Sequence, residues 1–190
     1  MNICVFCSSA NHLDNKYQEK AIELGQFIGK HNHQLVYGGA NVGLMDVVAN
    51  NVRLNNGRTI GIVAQVIKNN NVASDQDDEQ YITPTMHERK ALMREKSDAI
   101  IALPGGFGTL EELLEVLTLK QLGEINMPIV ILNIDHYYDG LLEQFKAAVT
   151  EGFSKEQYMK LFFETERVDE AIAYIETYKI SEVAGLTKWN

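Results

Sequence analysis

An α/β fold is predicted: a single-domain, Rossmann-like, doubly wound parallel sheet with helices on both faces. Three observations predict it. Short apolar runs alternate with segments of helical periodicity along the whole chain, the pattern of βαβ units joined by right-handed crossovers. No linker, internal repeat or low-complexity segment interrupts this alternation. Three special turns, Ser8-Ser9, Gly38-Gly39 and Gly105-Gly106, each follow a predicted strand. A doubly wound sheet binds ligands at the carboxyl ends of its strands, near the point where strand order reverses. Three such turns therefore predict one convergent site.

In chain order, residues 2–7 read as the first strand, and Ser8-Ser9-Ala10 turns the chain. Tyr17, Ala21, Leu24, Phe27 and Ile28 recur at helical spacing and predict a helix over 16–30. Residues 34–37 are the second strand, followed by the glycine-rich turn 38–43, a helix over 44–54 and a third strand over 59–63. The polar stretch 65–80 contains Asn69-Asn70-Asn71 and an acidic cluster at 75–79. It reads as the mobile loop of the chain, either a solvated connection or a lid. Residues 81–84 are extended, and Pro84 suits the start of a helix. That helix spans 85–96, with Arg89 and Met93 on one face and Met86, Lys90 and Arg94 on another. The apolar run 99–103 is a buried parallel strand that leads through a glycine turn into a helix over 110–117. A strand over 128–133, a helix over 137–150, a short strand over 161–164 and a helix over 168–178 complete the domain, residues 1–180, before a loose tail at 181–190.

Composition narrows the partners. A chain of 190 residues is long enough for one sizeable core. Its net charge of −9 disfavours a nucleic-acid polymer or an anionic membrane as partner. No apolar run approaches membrane-spanning length. The first residues enter a strand directly, without the basic start of a signal peptide. A soluble, cytoplasmic protein is expected. Cys4 and Cys7 form C-x-x-C, but their odd spacing along a strand points them to opposite faces, so neither redox chemistry nor metal binding is expected of them. The five histidines have no ligand spacing, and His31 and His33 flank a predicted helix end, where they read as exposed. No cofactor and no metal is expected.

The stretch Leu103-Pro-Gly-Gly-Phe-Gly-Thr-Leu-Glu-Glu112 carries the chemistry. A strand-to-helix turn rich in glycine exposes backbone N–H groups beside a helix start, which suits an anion and most often a phosphate. It is not the dinucleotide fingerprint, because Glu111 stands where the last glycine belongs, and it is not a P-loop, because it lacks the Gly-Lys pair. Thr109-Leu-Glu-Glu112 also fits a capping box, with Thr109 as N-cap and Glu112 reaching back. Spacing leaves open whether Glu112 is structural or chemical. Glu111 reads as exposed charge at the helix start. Leu113, Leu117 and Leu122 can face either the core or a second subunit.

Read together, these motifs resemble the Lonely Guy (LOG) family, the cytokinin riboside 5′-monophosphate phosphoribohydrolases. The family pattern P-G-G-x-G-T-x-x-E stands as Pro104-Gly-Gly-Phe-Gly-Thr-Leu-Glu-Glu112, and its companion M-H-x-R-K as Met86-His-Glu-Arg-Lys90. Tyr37-Gly-Gly-Ala-Asn-Val-Gly-Leu-Met45 resembles the family's second loop and Phe6-Cys-Ser-Ser9 its first. The resemblance implies hydrolysis of the N-glycosidic bond of a nucleoside 5′-monophosphate, with release of adenine or an N6-modified adenine and ribose 5-phosphate. It implies Arg89 and Glu112 as the catalytic pair. It also implies substrate contacts by Ser8, Gly39, Lys90, Gly105, Gly106, Phe107, Gly108, Thr109, Leu110, Glu111 and Thr118, and a homodimer. A non-catalytic nucleotide or molybdenum-cofactor carrier on the same fold is the alternative. Some relatives bear an older lysine decarboxylase label, but nothing in this sequence marks a pyridoxal-phosphate lysine. The chain departs from relatives at 69–71, where an acidic residue is common, and at Ala40 and Asp46, where glycine is common. These departures bear on base preference more than on hydrolysis.

Overall fold

The structure, a computed structural model, describes residues 1–179; the predicted tail at 181–190 lies outside the described residues. The elements run β1 (Asn2–Phe6), α1 (Asn15–Lys30), β2 (Gln34–Tyr37), α2 (Gly43–Leu54), β3 (Arg58–Ala64), α3 (Gln65–Lys68), β4 (Glu79–Thr83), α4 (Met86–Glu95), β5 (Ala99–Ala102), α5 (Phe107–Leu122), β6 (Ile129–Leu132), α6 (Asp139–Thr150), β7 (Phe163–Thr165) and α7 (Val168–Thr177). The strands form one sheet in the order β4-β3-β2-β1-β5-β6-β7, and every pairing is parallel. The predicted fold class is the observed one. The order in which strands are added reverses between β1 and β5, a parallel pair whose register matches Val5 with Ile101 and Phe6 with Ala102. The crevice beyond those two carboxyl ends is the switch point.

Alternation along β1 separates the two cores. Ile3, Val5 and Cys7 face α1, α2 and α7, packing with Leu24, Ile28, Val48, Val52 and Ile172. Cys4 and Phe6 face the opposite layer, with Met93, Leu113, Val116 and Tyr138. The cysteines thus lie on opposite faces, as their spacing predicts. Both are free and buried, and burial pushes both thiols far above the ordinary range, so neither is a thiolate. Tyr138 crosses the second core, and its hydroxyl donates to Leu103 O at 2.7 Å, which anchors the end of the β5 run above the site.

Two expectations need correction. The stretch 65–80 is not one open loop. It contains the short helix α3, and the extended residues after it form an edge strand, β4, that begins at Glu79. The sequence signal is weak there because an edge strand with one wet face carries polar residues such as Gln80. The segment is also tied down. Asn41 N–H donates to Val72 O at 2.9 Å, Ser74 N–H to Gly39 O at 2.7 Å, and the Tyr37 hydroxyl to Asp77 Oδ1 at 2.8 Å. Asp77, from the acidic cluster, has a side chain only 1% exposed and pairs with Arg53 at 3.4 Å. Second, His33 is buried. Of the leucines whose spacing left core and subunit face open, Leu113 and Leu117 are core residues, and the exposed apolar side chains of α5 are Phe107 and Leu114.

The capping box is real, but it belongs to another helix. Thr85 and Glu88 cap α4 reciprocally, the Thr85 hydroxyl accepting from Glu88 N–H at 3.2 Å and Glu88 accepting from Thr85 N–H at 3.0 Å. A cap of this kind contributes about 1 kcal/mol. It fixes the start of the helix that carries Arg89 one turn later.

Candidate functional site

Helix α5 begins at Phe107, with Gly106 as its N-cap and no side-chain cap. Thr109 is therefore the third residue inside the helix, not its N-cap, and the capping-box reading of Glu112 fails. The reason is local. A Cβ on Gly105 would lie 2.0 Å from Thr109 Oγ1, so the threonine is folded back onto the glycine turn and the helix starts three residues earlier than its apolar periodicity suggests. With no side chain covering them, the first-turn amides of α5 remain free for a ligand or water.

Released from capping, Glu112 pairs with Arg89. Arg89 Nη1 donates to Glu112 Oε1 at 2.8 Å, and Arg89 Nε donates to Ile62 O at 2.9 Å. Arg89 is 5% exposed and Glu112 is 9% exposed, so both charges sit in a poorly hydrated floor. The guanidinium is housed by Gly38, where a Cβ would stand 2.2 Å from Nη2 and 2.9 Å from the Met45 sulfur. Burial pushes the Glu112 carboxyl above the ordinary carboxylate range, and the neighbouring guanidinium opposes that rise.

The pair lines a cleft of about 530 Å³ at the switch point. Ser8, Gly106, Phe107, Gly108 and Thr109 line it too, so the structure brings together seven of the sequence-predicted residues. Among the described residues Arg89 and Glu112 are the only charged ones lining it, and they offset each other. An anion would therefore depend on backbone amides. Gly106 and Gly108 face open space: a Cβ on either would meet nothing within 4 Å. Protein packing does not demand glycine there, and the bare backbone leaves room for a ligand to approach it closely.

The other predicted residues lie elsewhere in the described chain. Gly39 sits behind the cleft at φ 67°, where a Cβ would strike Val63, and its carbonyl holds the 70s segment. Gly105 supports Thr109. Lys90 is paired with Glu111 and Glu115, and Arg94 bonds Glu115 at 2.6 Å, an ion network that ties α4 to α5 outside the cleft. Leu110 packs on the second core, and the exposed Thr118 donates its hydroxyl to Leu114 O at 2.8 Å. Phe107, Leu110, Glu111, Leu114 and Thr118 share a separate, shallow surface along α5.

Sequence reasoning did not recognise one wall of the cleft: the apolar Met45, Met86, Ile67 and Val72, with the polar Asn70 from the tethered segment. The Asn69-Asn70-Asn71 run and the family motifs that contain Met45 and Met86 were its signals. Methionine at helical spacing reads as ordinary core, and what distinguishes Met45 and Met86 is their placement beside the switch point.

A family model described as possible lysine decarboxylase matches residues 45–175. The cytokinin riboside 5′-monophosphate phosphoribohydrolase LOG7 of Arabidopsis thaliana is 37% identical over 190 residues, covering 99% of this chain and 88% of the relative. The phosphoribohydrolase LOG of Oryza sativa subsp. japonica is 39% identical over 184 residues, covering 97% and 76%. Among solved structures, a molybdenum cofactor binding protein from Rippkaea orientalis superposes with a TM-score of 0.70 at 26% identity, covering 93% of this chain and 95% of that one. The molybdenum cofactor carrier protein of Chlamydomonas reinhardtii superposes at 0.69 with 22% identity, covering 92% and 95%.

Proposed function

The chain belongs to the Lonely Guy family of cytokinin riboside 5′-monophosphate phosphoribohydrolases, and from that membership we propose that it hydrolyses the N-glycosidic bond of adenosine 5′-monophosphates, including N6-modified ones. The single observation that carries this reading is the buried Arg89–Glu112 pair on the floor of a glycine-lined cleft. The bond between C1′ and the base nitrogen breaks, and its electron pair leaves with the base, which takes up a proton. Positive charge builds on the sugar ring, and water adds at C1′ to give ribose 5-phosphate. Glu112 stabilises that charge and accepts the proton of the attacking water. Arg89 holds the carboxylate in place. The first-turn amides of α5, with the Thr109 and Ser8 hydroxyls, hold the 5′-phosphate at the helix start. Phosphate binding remote from the reacting bond then positions the sugar. The wall of Met45, Met86, Ile67 and Val72 suits a flat purine and an apolar N6 substituent.

A carrier of the molybdenum-cofactor kind shares the fold and needs the glycine turns, but has no use for a buried carboxylate at the sugar. Decarboxylase chemistry through a lysine Schiff base finds no support in the cleft, whose lining among the described residues contains no lysine. Two copies of the chain pair, in this reading, through the α5 face that carries Phe107 and Leu114, which are 94% and 41% exposed. Lys90, Glu111 and Thr118, on or beside that face, then approach substrate across the pairing.

The test is incubation of the protein with AMP and with N6-isopentenyl-AMP, followed by chromatography for free base and ribose 5-phosphate. Release from at least one is expected, with the ratio of the two setting base preference. Recovery of both nucleotides intact, bound but not cleaved, moves the assignment to the carrier.

A further inference from the structure

We propose that His31, His33 and Glu176 form a binding site for one divalent transition ion of the zinc class, at the end of the sheet opposite the cleft. Glu176 Oε1 lies 3.1 Å from His31 Nδ1 and 2.9 Å from His33 Nε2, and the three donor atoms lie within 4.8 Å of one another. Tetrahedral zinc with bonds of about 2.0–2.2 Å separates neighbouring donors by roughly 3.3 Å. Small side-chain adjustments therefore admit an ion between groups that already converge.

The fold holds these donors together. His31 is the C-cap of α1, Asn32 takes the left-handed conformation at φ 58°, and the buried His33 leads into β2. That single left-handed residue lets a His-x-His pair turn both rings toward one point. The Phe27 ring packs beside His31 at 5.4 Å between centroids. His33 Nδ1 faces the Met1 α-amino group at 3.4 Å, so Nε2 is the nitrogen presented to Glu176. Glu176 comes from the last turn of α7, 143 residues from His33 in the chain.

Charge and chemistry agree with a cation. The site lies at the carboxyl ends of both α1 and α7, where helix dipoles place partial negative charge. Two imidazole nitrogens and one carboxylate suit zinc, nickel or copper, whereas calcium and magnesium need oxygen-rich sets. Three protein donors leave one position for water. Because His31 and His33 precede the first residue of β2 while the cleft lies beyond strand carboxyl ends, the ion would staple the α1–β2 turn to α7 without touching the substrate.

The experiment is calorimetric titration of the chelator-stripped full chain with zinc chloride alone, backed by competition with a chromogenic chelator and by thermal melting. One equivalent is expected to bind, with a rise in the melting midpoint. His31→Ala and Glu176→Gln, at half-exposed positions, should each weaken binding by more than about tenfold. His136→Ala, which removes a histidine paired, among the described residues, with exposed carboxylates at Asp139 and Glu166, should leave affinity unchanged. Melting of the metal-free variants establishes that they are folded. Absence of saturable binding to the unaltered chain, or equal affinity in both His31→Ala and Glu176→Gln, overturns the proposal.

Discussion

Glu112→Gln is expected to lower base release from the preferred nucleotide by roughly 10²–10⁴-fold, the range lost when a positioned acid–base group is removed, while the nucleotide still binds. Gln keeps an oxygen to accept from Arg89 Nη1, which lies 2.8 Å from the native carboxylate, so the cleft floor retains its geometry. In the proposed mechanism, what is lost is the negative charge facing the sugar and the group that takes the proton of water. Single-turnover kinetics and a nucleotide titration on the same preparation separate the two effects. Unchanged base release would remove Glu112 from the reaction. The comparison with Glu112→Leu is informative for stability: it strands a guanidinium that is 5% exposed, and breaking a buried pair in this way costs roughly 3–5 kcal/mol. Glu112→Gln should melt close to the unaltered protein and Glu112→Leu well below it.

Arg89→Lys is expected to reduce kcat by about 10²-fold, the scale of a misplaced catalytic group, and to shift the pH profile. Arg89 uses Nε for Ile62 O and Nη1 for Glu112 at the same time, and Nη2 rests in the niche left by Gly38. A lysine ammonium offers no fork that can meet these partners together. The sign of the pH effect follows from the Glu112 environment. Burial raises that carboxyl and the guanidinium opposes the rise. The proposed mechanism needs the ionised form, so activity is expected above the Glu112 pKa and is lost as pH falls through it. Lysine keeps the charge but loses the hydrogen bond to Glu112 and the close placement of the charge, so burial is opposed less and the acid limb of kcat moves to higher pH. Gly38→Ala should move it the same way by a smaller step, because a Cβ there would stand 2.2 Å from Nη2 and push the guanidinium aside. An acid limb that stays in place in both variants would mean that Arg89 does not tune Glu112.

Much of the site was legible because glycine, serine and proline mark turns by their own backbone chemistry, and three such turns close parallel strands. The cleft gathers Ser8, Gly106, Gly108 and Thr109 at the carboxyl ends of β1 and β5, where alternating strands and helices predict a ligand. The apolar wall was not legible. Val72 and Asn70 reach the cleft only because Tyr37, Gly39 and Asn41 bind the segment that carries them. Such tethers join residues far apart in the chain and leave no periodic trace in it. Leu113 and Leu117 could equally have faced a partner on spacing alone, and only the packing of α5 against the sheet turned them inward.

By itself, the sequence determined the order of strands and helices outside 65–80, the class of sheet and the turns that close its strands, since these follow from hydrophobic period and from residues with restricted or unusual backbone freedom. The tertiary structure alone decided what the charged groups do. Thr109 and Glu112 fit a capping box on spacing, and the true start of α5 three residues earlier handed Glu112 to Arg89, which is 23 residues away. His31 and His33 read as an exposed helix end until α7 brought Glu176 to them from 143 residues away. A local pattern can place a carboxylate on a helix, but its protonation and partner depend on burial and on charges that only the folded chain assembles.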